Sequence, residues 1–73
     1  MTDKQIMEQF GARVKARRQA LGLSQDDLGN SLGLDQGRIS MLERAVPNKV
    51  ALTLGLAFRI ANALECKLAD LLP

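Results

Sequence analysis

Apolar residues along the chain recur at three- and four-residue intervals, and the pattern breaks at Gly22, at Gly33, across the 45–51 stretch and near Cys66. These breaks divide the chain into short segments that all read as helices, and none shows the two-residue alternation of a strand. The first carries Ile6, Phe10 and Val14 at i, i+4 and i+8, with Leu21 two turns on. Thr2 and Gln5 have capping-box spacing at its start, and Gly22 suits the left-handed position after its end. The second opens on Ser24 as N-cap, places Asp26 and Asp27 in the positive first turn, and buries Leu28 and Leu32 before Gly33 stops it. Leu23 and Leu28 occupy hydrophobic-staple positions. The third repeats this grammar, with Leu34 before the cap, Asp35 as N-cap and Ile39 at the staple position.

Thr53 is the N-cap of a fourth segment in which Leu54, Leu56, Ala57, Phe58, Ile60, Ala61, Ala63 and Leu64 leave apolar surface on more than one side. The fifth, Lys67 to Leu72, is a turn or two of amphipathic helix expected to face Leu68, Leu71 and Leu72 inward. Two short helices joined by a glycine turn, each stapled at its entrance, predict a helix-turn-helix at the second and third helices. The fold class expected is all-α, five helices in one compact domain spanning residues 1–73.

Composition narrows the chemistry. The 73 residues include one cysteine, Cys66, and no histidine, which leaves no Cys/His zinc set, no internal disulfide and no histidine acid/base pair. Neither an enzyme nor a metal or cofactor is therefore expected, and so short a chain leaves little room for a small-molecule domain. Cys66, beside Leu64 and Leu68, reads as core packing. The start MTDKQIMEQF lacks a basic region followed by an apolar run, and no stretch approaches the roughly 18 apolar residues of a membrane span, so a cytoplasmic location is expected. Net charge is only +2, but Arg13, Lys15, Arg17 and Arg18 cluster without an intervening acid.

The third helix carries the functional signal. With Gln36 at 0° and about 100° per residue, Ile39 and Leu42 fall at about 300° and about 240°, which marks the buried side. The opposite side holds Gln36, Gly37, Ser40, Met41 and Arg44. Such a face is polar but small in the middle, which suits a helix entering a major groove about 12 Å wide. Gln can bond adenine N6 and N7, Arg guanine or phosphate, Ser several base edges, and Met a thymine methyl. Gly37 costs helix stability of about 1 kcal/mol, which argues that clearance is needed there.

The stretch RVKARRQALGLSQDDLGNSLGLDQGRISMLER resembles the DNA-binding domain of the lambda-repressor-like and Cro-type helix-turn-helix family. Gln25 falls on its opening Gln, Gly29 on the small residue where the two helices touch, Gly33 on the turn, and Ile39 and Leu42 on the buried positions of the recognition helix. ALTLGLAFRIANALECKLADLL resembles the family's fourth and fifth helices. The resemblance implies that Gln25 bonds a phosphate and supports Gln36 as the adenine reader, that Ser24 adds a backbone-phosphate contact, and that Arg18 and Glu43 pair between helices 1 and 3. Departures are plain: Gly37 and Met41 stand where relatives carry polar readers, and Ala45 and Glu65 stand where a helix-ending Gly is usual.

The function these features imply is a sequence-specific transcriptional regulator of the small phage-repressor, antitoxin or restriction-modification controller type. It is expected to bind double-stranded DNA as a homodimer, with helices 4 and 5 as the interface. Ser24, Gln25, Arg44 and Lys49 are expected on phosphates, helped by Arg13, Arg17 and Arg38, while Gln36, Ser40, Met41 and Arg44 read bases and Gly37 gives clearance. With two Phe and no Tyr or Trp, the aromatic platforms used for single strands are missing. The competing reading is a protein-interaction module on the same helical scaffold.

Overall fold

A computed structural model describes residues 1–46 and 52–73. Among them the chain forms α1 (Asp3–Ala20), α2 (Gln25–Leu32), α3 (Gln36–Glu43), α4 (Leu54–Ala63) and α5 (Leu68–Leu71), with no strand. The all-α, five-helix expectation holds, with the helix-turn-helix at α2 and α3.

The helix starts are set by local chemistry. Thr2 accepts from the Gln5 N–H while the Gln5 side chain accepts from Thr2, and Ser24 and Asp27 do the same at α2. Asp35 and Thr53 cap α3 and α4 by accepting from the N–H groups of Arg38 and Leu56. Gly22 and Gly33 take the left-handed conformation at φ 72° and 71°, so α1 and α2 stop where the sequence placed their ends.

The other two long helices end the same way without glycine. Ala45 and Glu65 sit at φ 52° and 56°. The N–H of Val46 reaches Met41 O and that of Ala45 reaches Leu42 O, both at 3.1 Å; Cys66 to Ala61 and Glu65 to Asn62 repeat the pattern at 3.0 and 3.1 Å. These are Schellman closures, so the missing glycines do not prolong the helices. Arg17 secures the second closure, donating from Nε to Leu64 O at 2.9 Å and from an Nη to Glu65 O at 3.2 Å.

Phe10, Val14, Leu28, Leu32, Ile39, Leu42, Ile60, Leu64 and Leu71 make one core to which all five helices contribute. Cys66 is half-buried against it, and burial pushes its thiol pKa up, reinforced by the nearby Asp70 charge and opposed by Arg17. Two close approaches shape the packing. A Cβ at Gly29 would lie 2.5 Å from Leu34 O in the turn between α2 and α3, and one at Gly11 would lie 2.5 Å from Leu42 O and 2.8 Å from Glu43 O. Leu72 departs from its inward assignment: the short α5 ends at Leu71, and Leu72 is 41% exposed.

Candidate nucleic-acid interface

Eight residues make α3 about 12 Å long, enough to present two turns to a groove. Ile39 and Leu42 are fully buried and anchor one side. On the other, Gln36, Gly37 and Arg44 are exposed, and Ser40 and Met41 are half-buried. Arg38 is exposed as well. A methyl group added at Gly37 would meet only Asp35 Oδ1, at 3.5 Å, so nothing inside the protein requires glycine there.

Behind this face lies a buried ion pair. Arg18 Nε donates to Glu43 Oε2 at 2.6 Å and an Nη donates to Oε1 at 2.9 Å, a two-pronged contact between α1 and α3. The remaining Nη donates to Leu23 O at 2.8 Å, fastening the turn that leads into α2. Hydrogen bonding to Glu43 raises the Arg18 pKa, against the opposing effect of burial. The pair expected from the family resemblance is thus formed.

Gln25 joins this pair to the open face. Its Nε2 donates to Glu43 Oε1 at 3.1 Å, and its Oε1 accepts from Gln36 Nε2 at 2.7 Å. The support of Gln36 by Gln25 was expected; the bond from Gln25 to Glu43 was not. The only sequence sign of it is that a buried carboxylate can accept more bonds than one arginine supplies.

The remaining candidates divide. Ser24 is exposed, but its hydroxyl accepts from the Asp27 N–H and its own N–H donates to Asp27 Oδ2. The Ser24 N–H, and after it the Ser24 side chain, hold the Asp27 carboxyl below its usual range by hydrogen bonding to it. The amides of Ser24 and Asp27 are both taken, which leaves those of Gln25 and Asp26 to an anion at this end of α2. Arg44 folds back to donate to Ser40 O at 3.3 Å while staying exposed. Lys49 lies outside the described residues.

The basic cluster on α1 is not one solvated surface. Arg18 is buried, Arg17 is occupied by the carbonyls at the end of α4, and Arg13 and Lys15 are exposed. A further arginine that the sequence pattern does not single out, Arg59, donates to Leu32 O at 2.9 Å and closes the end of α2. Away from α3, Leu54 and Phe58 lie one turn apart on α4 and are 77% and 56% exposed. Leu56 and Leu68 are partly buried against the core and Leu71 is inside it, so the large apolar residues left outward include Leu54 and Phe58 on α4 and Leu72 just after α5. Among the described residues there is no helix long and apolar enough to cross a membrane, and no group of three or more Cys, Asp or Glu placed to hold a metal ion.

Comparison with known proteins gives a consistent result. A helix-turn-helix family model matches residues 14–71. Among solved structures, the restriction-modification controller protein C.AhdI from Aeromonas hydrophila is 31% identical, with 89% of this chain and 94% of that one covered and a TM-score of 0.78. The clp gene regulator ClgR from C. glutamicum is 25% identical over 89% of this chain and 80% of its own, also at 0.78. Hydroxypropylphosphonic acid epoxidase from S. wedmorenis is 26% identical with a TM-score of 0.87; 96% of this chain is matched, but only 36% of the epoxidase. A search of curated proteins gives no significant match.

Proposed function

This chain belongs to the helix-turn-helix family and is a DNA-binding transcriptional regulator, and we propose that it reads a near-palindromic operator as a homodimer with α3 in the major groove. The observation that supports this reading is the open side of α3, backed by two buried apolar anchors and a buried ion pair. A rigidly mounted helix with small and hydrogen-bonding residues outward is what close approach to base edges demands.

In this reading Gln36, Ser40, Met41 and Arg44 face the bases and Gly37 gives the backbone room. Gln25, Arg38, Arg44 and Lys49 contact phosphates, together with the amides at the start of α2 beside Ser24. One recognition helix reads few base pairs, so two copies about 34 Å apart are needed for useful specificity. Leu54, Phe58 and Leu72 are the residues available to hold those copies together. Assembly coupled to DNA binding makes occupancy rise steeply with protein concentration. We assign the chain no catalytic role, and its work lies in the compartment that holds the DNA.

The same exposed apolar strip favours a second reading, in which another polypeptide is the main partner. Selection of binding sites from random duplex DNA, with the salt dependence measured, separates the two. Recovery of a two-fold motif supports the operator reading. Absence of binding to any duplex, even at low salt, supports the other.

A further inference from the structure

The side of α1 turned away from α3 borders a groove. Gly11 and Arg18 face α3, and at about 100° per residue Arg13, Ala16 and Arg17 lie roughly 140° to 240° further round the helix. There they form one wall of an open groove of about 780 Å³, whose other wall includes Glu65, Cys66, Asp70 and Leu71, from the turn after α4 and from α5. That volume falls in the range of small-molecule sites.

The groove carries both signs of charge. Arg13, Arg17 and Lys67 are set against Glu65 and Asp70, while Ala16 and Leu71 add apolar surface. Arg17 is fixed by its bonds to Leu64 O and Glu65 O, and one oxygen of Asp70 accepts from the Lys67 N–H at 3.0 Å. The Cys66 thiol lies within reach of both signs: after burial, the Asp70 charge raises its pKa and the Arg17 charge opposes that rise. Arg13 and Glu65 are exposed, and among the described residues neither side chain takes part in an ion pair. Both charges are therefore free to meet a ligand. Glu65, Cys66 and Asp70 are not placed to hold a metal ion.

Glu65 is also an unusual residue for its position. It sits at φ 56°, a conformation that glycine takes without strain and that would close α4 equally well. Ending the helix asks for no side chain here, yet the one present sets a carboxylate on the groove.

We propose that this groove binds a small zwitterion of amino-acid type, with its carboxylate on Arg13, its ammonium on the Glu65 and Asp70 side, and its body packed over Cys66. The site lies across α1 from α3, so it stands or falls independently of the DNA reading.

The test titrates each free amino acid, to millimolar concentration, into the full chain labelled for NMR, and times the alkylation of Cys66 by neutral iodoacetamide in parallel. At least one amino acid is expected to shift the amides of Ala16 and residues 65–67 saturably and to slow alkylation several-fold, because the occupant covers the thiol. The same compound lacking its amino group, or lacking its carboxylate, is expected to bind about tenfold more weakly.

Two variants then assign the contacts. Both positions are exposed, so neither change threatens the fold. Arg13→Gln is expected to weaken the amino acid and the compound lacking the amino group alike, by about five- to tenfold. Glu65→Gln is expected to weaken the amino acid similarly and to leave the compound lacking the amino group unaffected. Amide positions and an alkylation rate unmoved by every amino acid overturn the proposal. So does saturable binding that neither variant weakens, which puts the ligand elsewhere, and so does an acid without the amino group that binds as tightly as its amino acid.

Discussion

Arg18 and Glu43 meet at 2.6 and 2.9 Å through two parallel hydrogen bonds, joining the first helix to the end of the third inside the protein. Each leaves an unpaired buried group if its partner is removed. Arg18→Met or Glu43→Leu alone should therefore cost about 3 to 5 kcal/mol in urea denaturation, while the double variant should cost clearly less than either, since no stranded charge remains. Single variants as mild as the double would show that the two side chains are not coupled.

Gly37 separates folding from function. The space around it is open and its backbone is helical, so Gly37→Ala should stabilise the free protein by up to about 1 kcal/mol. The added methyl lies on the side proposed to approach DNA, and on that proposal operator affinity should fall. Unchanged or tighter binding would show that no clearance is needed at this position.

Glu65 holds a left-handed conformation that disfavours side chains, at φ 56°. Glu65→Gly should relieve that strain and raise stability by about 0.5 to 1 kcal/mol after the extra flexibility of the unfolded glycine is subtracted. A lowered urea midpoint would mean that the Glu65 side chain contributes more than its backbone costs.

Asp27 gives a pH dependence with a definite sign. Hydrogen bonds from Ser24 lower its carboxyl below the ordinary 3.8, so the folded state favours the ionised form. The resulting stabilisation is present above that value and disappears as pH falls through the lower, folded one. Asp27→Asn should flatten the loss of stability between about pH 5 and pH 2. An acid limb identical to wild type would remove the Ser24–Asp27 cap from the account.

The parts of the fold that sequence made legible are those governed by neighbours in the chain. Thr2, Ser24, Asp35 and Thr53 cap their helices through residues three positions on, and Gly22 and Gly33 turn the backbone where glycine alone is cheap. Features set by tertiary contact were not legible. Arg17 reads as a free charge until α4 brings two carbonyls to it, and those carbonyls belong to a closure built without glycine. Nothing local to α1 marks Gly11, whose missing Cβ makes room for Leu42 O and Glu43 O on α3. The side of α3 opposite Ile39 and Leu42 was legible because its periodicity is local, whereas its support by Glu43 through Gln25 depends on residues 18 positions apart.

The most direct test of the central claim follows backbone amide resonances while an operator duplex is titrated into the labelled protein. The largest shifts are expected at Gln36, Gly37, Ser40, Met41 and Arg44, with a random duplex at the same salt producing smaller changes there. Shifts confined to the Leu54 and Phe58 side, with these five resonances unmoved, would contradict the assignment of α3 to the groove.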